Sequence, residues 1–144
     1  MDYRCGYCRK AYYEIKQLLD LDKKIKLIVK EYPILGEQSK MSAKFAMAVK
    51  KIYGPEAYRL IHETLFAFNG KISLGSLQKI ADGYGYDASK IFNEMDSQTV
   101  LFQLNENLSL GDKMAITGTP TFIIHEEIFR GFLSLQIMQQ IITS

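Results

Sequence analysis

Two cysteines, separated by two residues, are the only thiols of the chain, in the sequence Cys5-Gly6-Tyr7-Cys8. Thiols at this spacing can close a small disulfide ring and open it again, and two cysteines cannot form a disulfide framework for a domain of 144 residues. Cys5 is expected at the N-terminus of a helix, where free N–H groups and the helix dipole stabilise a thiolate. The pattern predicts a redox site with Cys5 as the attacking thiol and Cys8 as the resolving thiol.

The residues around the cysteines are expected to tune this chemistry. Arg4, Arg9 and Lys10 add positive charge that should lower the pKa of Cys5, while Asp2 should oppose them. Tyr7 lies between the two sulfurs in sequence and is predicted to flank the site. The alternative for Tyr7 is an exposed helix residue without a role.

A second motif, Gly118-Thr119-Pro120-Thr121, stands near the C-terminus, directly before an apolar run. A proline before a strand cannot donate a ladder hydrogen bond, and a cis X-Pro bond costs only about 0.5–1 kcal/mol over trans. A cis bond here would let Thr119 present its backbone to an extended substrate near Cys5. Thr119 and Pro120 are therefore candidate substrate-binding residues.

The elements that position these motifs read as an α/β protein. Apolar residues at helical spacing follow Cys8 as far as Leu21, and Ile25–Tyr32 reads as a buried strand that ends at Pro33. Helical patterns then occupy most of the chain to about residue 115, with a break allowed near Gly111. After Gly118, two short strands are predicted at 121–125 and 127–130, followed by a helix over 133–142. We interpret residues 1–37 and 112–144 as a core and residues 38–111 as a helical insertion.

Composition excludes several classes of function. A net charge of +2 is too small to indicate nucleic acid or an anionic membrane as a partner, and no apolar run approaches the roughly 20 residues that span a bilayer. The segment Met1–Arg4 lacks the apolar region of a signal peptide, so the sequence fits a cytosolic protein or a mature piece of an exported one. A zinc site is disfavoured because His62 and His125 lack ligand spacing to the cysteines. No metal or other cofactor is expected.

Three segments together resemble the DsbA-like family of thioredoxin-fold proteins: Asp2–Lys10 with its CGYC tetrad, Lys30–Gly36, and Gly118–Phe122. The tetrad with threonine before proline is most similar to the ScsC-like bacterial branch. The resemblance covers nearly the whole chain. It implies a thioredoxin-like fold with a helical domain inserted between its halves.

The resemblance also implies roles and partners. Cys5 would be the nucleophile, Cys8 the resolving cysteine, and Thr119-Pro120 a cis-proline platform for substrate. The expected activity is disulfide formation or isomerisation in reduced or unfolded exported proteins, with a membrane-bound or soluble thiol partner that restores the redox state. The expected location is the periplasm or another extracytoplasmic space, and no nucleic-acid partner is expected.

One departure from the family leads to an alternative. Family members have a strand directly before the Asp-Tyr pair, whereas this sequence begins at Met1. We therefore expect an N-terminally truncated thioredoxin-like core whose open sheet favours a homodimer or exchange of strands between copies. The alternative function is a peptide-binding or structural module with little redox turnover.

Overall fold

The computed structural model describes residues 1–144 and contains seven helices and two strands. Their order and bounds are α1 (Gly6–Leu21), α2 (Glu37–Tyr53), α3 (Pro55–Ala67), α4 (Leu74–Gly83), α5 (Ala88–Met95), α6 (Gln98–Lys113), β1 (Thr121–Ile124), β2 (Glu127–Arg130) and α7 (Leu135–Thr143).

The helix boundaries follow local capping chemistry. Side chains of Ser73, Asp87, Ser97 and Ser134 each accept a hydrogen bond from the third backbone N–H of the helix that follows them. Pro55 occupies the first turn of α3, where its missing N–H costs nothing. The sequence-based prediction of helices after Gly54, Ser73 and Asp87 is confirmed.

The two strands after Pro120 form an antiparallel hairpin, as predicted. Thr121 pairs with Arg130 and Ile124 pairs with Glu127. The two turn residues His125 and Glu126 both have positive φ, 50° and 69°, which matches the twist of the flanking strands. His125 therefore lies in the turn, one residue beyond the end of β1, and the first strand is one residue shorter than the predicted 121–125.

The predicted buried strand at Ile25–Tyr32 is wrong. The segment is extended, but Leu27 and Ile28 are 45% and 66% exposed, and the backbone of residues 26–29 forms no hydrogen bonds. Its only ladder-like partner is Met1, which donates its amino group to the Lys30 carbonyl at 3.1 Å and accepts from Tyr32 N–H at 2.8 Å. Apolar β-branched residues favour an extended chain, but a strand also requires a partner along its whole length.

The break allowed within α6 is also absent, since the helix runs through Gly111 to Lys113. A Cβ at Gly111 would collide with the ring of Tyr32, so this glycine permits the close approach of the extended segment. Tyr32 then donates its hydroxyl proton to the Ile116 carbonyl at 2.9 Å. These contacts fix the end of the extended segment against α6.

The main core lies among α2, α3, α4 and α5, with Phe45, Ile61, Leu65 and Leu77 fully buried, and it extends to Cys8 in the first turn of α1 and to Tyr3 before that helix. A smaller cluster of Ile15, Leu18 and Met138 joins α1 to α7. Helix α1 therefore contacts both clusters, which fixes the position of its N-terminus.

Candidate redox site

The N-terminus of α1 places Cys5 as its N-cap residue, as the sequence analysis expected. The Cys5 side chain accepts a hydrogen bond from the backbone N–H of Cys8, with 3.3 Å between nitrogen and sulfur. This is the position of a capping serine or aspartate, here occupied by sulfur. A thiolate at Cys5 therefore receives the orphan N–H of the first helical turn.

The pKa of the Cys5 thiol is lowered from its ordinary value. Partial burial alone would raise the pKa, but the neighbouring Thr119 and the backbone N–H groups of Cys8 and Tyr7 outweigh it. As a thiol, Cys5 donates to the Thr119 carbonyl oxygen at 3.4 Å. On ionisation, the donors that remain around the sulfur stabilise the thiolate.

The Cys8 sulfur has the opposite surroundings. The residue is fully buried, and burial raises the pKa of its thiol to about 12. The backbone N–H of Asp2 donates to the Cys8 sulfur at 3.5 Å. Both cysteines are free thiols in this structure. The pair therefore consists of one partly accessible, acidic thiol and one buried thiol that ionises reluctantly.

The loop before β1 brings Thr119 and Pro120 to the cysteines across 114 positions of sequence. The Thr119–Pro120 peptide bond is cis, and Pro120 is buried. The Thr119 hydroxyl oxygen is buried and has no hydrogen-bond partner. The two motifs singled out in the sequence therefore meet at one place on the surface.

Tyr7 and the basic residues near the cysteines have different environments. Tyr7 is 64% exposed beside Cys5, with the Lys10 ammonium 5.9 Å from its ring centre. Arg4 and Arg9 both donate to the carbonyl of Phe68, at 3.5 and 3.2 Å. These two arginines therefore hold the loop after α3. The pKa of Cys5 is lowered mainly by hydrogen bonds at its sulfur and not by these charges.

A buried polar cluster beside the site was missed by the sequence analysis. The Tyr3 hydroxyl donates to Glu31 Oε1 at 2.6 Å and lies 2.7 Å from His62 Nδ1, and the Tyr58 hydroxyl also donates to Glu31 Oε1. His62, considered and disfavoured from the sequence as a zinc ligand, is 6% exposed and packs edge-on against Phe66. A signal was present, because Tyr58, His62 and Phe66 recur every four residues on one face of α3.

Burial shifts the ionisation of this cluster strongly. It raises the pKa of Glu31 from 4.5 to about 7, although the Tyr3 and Tyr58 hydroxyls act in the opposite direction. It lowers the pKa of His62 from 6.5 to about 4. One carboxyl oxygen of Glu31, Oε2, has no hydrogen-bond partner. The cluster therefore holds an acid that titrates near neutrality and a histidine that stays neutral there.

A thiol pair at a helix N-terminus next to a threonine–cis-proline turn defines a thioredoxin-like redox protein, and comparisons with known proteins agree. The thioredoxin family profile matches residues 1–144, so the chain belongs to the thioredoxin family. The fold is thioredoxin-like, mostly helical with a small two-stranded sheet, and matches DsbA-like structures.

Solved structures similar to this chain include a thioredoxin-like oxidoreductase from Silicibacter pomeroyi DSS-3, with 29% identity over 99% of this chain and 81% of that one, and a TM-score of 0.91. The thiol-disulfide exchange protein α-DsbA2 from Wolbachia pipientis gives 30% identity, 99% and 77% coverage, and a TM-score of 0.91. ScsC from Proteus mirabilis in a compact conformation has the same fold at 22% identity, 99% and 78% coverage, and a TM-score of 0.85. The relatives with known chemistry support an oxidoreductase role.

Among curated proteins, the chain is 21% identical to Na(+)/H(+) antiporter NhaA 1 of Salinispora arenicola, over 99% of this chain. It spans only 22% of that protein's length. None of the seven helices has the length and hydropathy that a bilayer crossing requires.

Proposed function

We propose that this protein is a thiol–disulfide oxidoreductase that forms or isomerises disulfide bonds in exported proteins through Cys5 and Cys8. The observation that carries the proposal is the lowered pKa of Cys5 at the N-terminus of α1, directly beside Thr119. A sulfur stabilised as a thiolate is both a ready nucleophile and a good leaving group.

The oxidative reaction proceeds by two exchanges. A substrate thiolate attacks Cys5 Sγ of the Cys5–Cys8 disulfide; a mixed disulfide forms and Cys8 departs as a thiolate that takes up a proton. A second substrate thiolate then attacks the substrate sulfur of the mixed disulfide, and Cys5 departs. The substrate has lost two electrons, the protein has gained them, and a thiol redox partner removes them again.

Substrate selection rests on the surface around Cys5. Thr119 and Pro120 offer backbone groups to an extended polypeptide, and the exposed ring of Tyr7 adds an apolar surface next to Cys5 in the chain. Backbone recognition suits unfolded or reduced substrates because it does not depend on their side chains. We place this activity in the periplasm or another extracytoplasmic compartment, where protein disulfides persist.

The test is a glutathione redox titration, with the Cys5–Cys8 pair read by alkylation and mass spectrometry. We expect a reversible intramolecular disulfide with a potential in the roughly −120 to −180 mV range of oxidases and isomerases. Insulin reduction and a scrambled-disulfide substrate are then compared between the wild type and Cys5→Ser. Equal activity of the two proteins would remove Cys5 from the mechanism.

The extended segment at residues 25–32 favours a second candidate function, a peptide-binding or structural module with little turnover. The unpaired backbone of residues 26–29 and the exposed side chains of Leu27 and Ile28 could accept another strand. Failure to form the Cys5–Cys8 disulfide in the titration would favour this module. Light scattering separates the remaining choices, because an isomerase generally needs two sites held in a homodimer, while a monomer would contradict strand exchange.

A further inference from the structure

Each of the three residues at the start of the chain is fixed by contacts to residues 30–35 or to α3. The Met1 backbone forms hydrogen bonds with Lys30 and Tyr32, on either side of residue 31. The Asp2 carboxylate accepts from the backbone N–H groups of Ile34 and Leu35 at 3.0 and 3.1 Å. The Tyr3 hydroxyl forms hydrogen bonds with Glu31 and His62. The path of residues 1–3 is therefore determined by groups outside α1.

Glu31 is the common hydrogen-bond acceptor of the buried cluster that it forms with Tyr3, Tyr58 and His62. Each phenol has a single proton, and those of Tyr3 and Tyr58 both point to Glu31 Oε1. When Glu31 is ionised, the remaining contact requires His62 to carry its proton on Nδ1 and to donate it to the Tyr3 oxygen. The Tyr3 hydroxyl is thus held between Glu31 as acceptor and His62 as donor. The two bonds fix both the orientation of the Tyr3 ring and the position of its backbone.

The geometry next to Tyr3 connects this cluster to the redox pair. Asp2 lies between the fixed residues Met1 and Tyr3, and its N–H is the donor that reaches the Cys8 sulfur from outside α1. The sulfur is otherwise enclosed in the apolar core together with Tyr3. The direction of the Asp2 N–H, and hence its bond to Cys8, depends on the anchoring of its neighbours.

We propose that Glu31 is a positioning residue for the resolving thiol: by anchoring Tyr3, together with Tyr58 and His62 of α3, it holds the Asp2 N–H against the Cys8 sulfur. This inference rests on the proposed function, because it assigns Glu31 a role in the redox cycle of Cys5 and Cys8. Helix α3 would then influence the resolving thiol through Tyr58 and His62, although neither residue contacts the substrate.

A purely structural explanation accounts poorly for the cluster. Burying a carboxyl group is costly, and apolar residues of similar volume usually stabilise a core at least as well. Glu31 is nevertheless fully enclosed and leaves Oε2 without a partner. Its position is explained if its two accepted bonds serve to set the geometry of Tyr3.

The variant that tests this inference is Tyr3→Phe, which keeps the ring against Phe66 and removes only the hydroxyl. In the reduced form the Asp2 N–H should be less well aligned with the Cys8 sulfur, and a thiol or thiolate sulfur is a better acceptor than a disulfide sulfur. The equilibrium constant for forming the Cys5–Cys8 disulfide against glutathione should therefore rise about two- to tenfold, the usual effect of one hydrogen bond. Tyr58→Phe should give a smaller shift in the same direction, because Tyr3 keeps its own bond to Glu31.

The matched control is Tyr84→Phe, which removes one tyrosine hydrogen bond, to Thr64, without touching residues 1–3 or Glu31. It should leave the glutathione equilibrium unchanged. In a Cys5→Ser background, the rate of Cys8 alkylation at one fixed alkaline pH should fall with Tyr3→Phe, because less of Cys8 is then thiolate, and should stay unchanged with Tyr84→Phe. This readout does not require turnover, so it reports on positioning separately from the proposed function.

The possible outcomes separate cleanly. If Tyr3→Phe and Tyr58→Phe lose stability but behave like the Tyr84→Phe control in both assays, the cluster is structural only and the inference is overturned. If Tyr3→Phe does not fold, Tyr58→Phe decides by the same criterion. A wild type that forms no reversible disulfide contradicts the proposed function, while slower Cys8 alkylation in Tyr3→Phe would still support the positioning of its sulfur.

Discussion

The two sulfurs differ in surroundings although a single helical turn separates them. Cys5 receives hydrogen bonds at the helix N-terminus and is partly accessible, whereas Cys8 is enclosed by the core. External thiols therefore meet Cys5 first, and Cys8 reacts only with a partner already joined to Cys5. The order of steps in the proposed reaction follows from this difference in access and pKa.

Replacing Thr119 by valine tests the source of the lowered Cys5 pKa. The side chain keeps its shape but loses the buried hydroxyl, which has no partner while Cys5 is a thiol and can turn its proton toward the thiolate, so the pKa of Cys5 should rise. Thiolate absorbance in the ultraviolet, followed against pH, measures the shift. Thr121→Val is the control, because the Thr121 hydroxyl donates to the Gly118 carbonyl at 2.8 Å instead. A Cys5 titration that is identical in the two variants would contradict the role of Thr119.

At the level of elements, α3 and the extended segment contribute two buried groups with opposite pH behaviour. The folded state holds a proton on Glu31 up to a pKa of about 7, whereas the unfolded chain loses it near 4.5, so this contribution to stability falls as pH rises between these values. The unfolded chain protonates His62 below 6.5, but the folded state does so only below about 4, so this contribution rises with pH. The two slopes oppose each other between pH 4.5 and 6.5.

Single substitutions should expose each slope. Glu31→Gln should make the free energy of unfolding increase with pH between about 4 and 6.5, by up to about 1.4 kcal/mol per pH unit. His62→Asn should make it decrease between 4.5 and about 7. Urea denaturation at a series of pH values measures both. The double variant should vary less than either single one, and single variants that follow the wild type would rule out these pKa shifts.

The contact of Tyr32 with α6 makes a second prediction for the elements. Gly111→Ala introduces a Cβ into the Tyr32 ring and should lower the free energy of unfolding by about 1–3 kcal/mol. Gly75→Ala in the exposed first turn of α4 has room for its Cβ and should instead stabilise by up to about 1 kcal/mol. Urea midpoints of the two variants provide the measurement. Equal shifts would mean that the Tyr32 packing does not constrain position 111.

For the whole molecule, the sequence predicted the parts governed by local rules. Caps, proline and glycine positions located most helices and the hairpin, because these signals act within a few residues. The spacing of Cys5 and Cys8 and the Thr119-Pro120 pair predicted two motifs that the fold brings together at the candidate site, because the chemistry of these motifs is tied to residue type. Those predictions needed no knowledge of distant contacts.

The features that were missed depend on such contacts. Glu31 stands in an apolar run and His62 in a polar-looking stretch of α3, and only the fold brings them to Tyr3. The Ile25–Tyr32 segment has strand-forming residues, but pairing is a property of two segments. The pattern of residues within Ile25–Tyr32 could not reveal that Met1 is the only residue whose backbone pairs with this segment in a strand-like way.

The extended segment also affects the behaviour of the molecule in solution. Ile28 and Leu27 are exposed on an unpaired backbone, and Lys24, Lys26 and Lys30 supply charge that discourages edge-to-edge pairing. High salt screens such charges, so association measured by light scattering should increase with ionic strength. Ile28→Lys should suppress this increase. Phe102→Lys, which removes an equally exposed apolar side chain from α6, should not, and equal protection by both would point to general hydrophobicity instead.

The hairpin turn offers a route for engineering. His125 and Glu126 both adopt the left-handed backbone that asparagine and glycine tolerate best, so replacing them with Asn-Gly should raise the melting temperature without altering any group within reach of the sulfurs. Calorimetry on this variant should show a higher melting temperature, and the glutathione titration should show an unchanged redox equilibrium of Cys5 and Cys8. Such a variant would make thermal robustness and redox poise two separately adjustable properties of this scaffold.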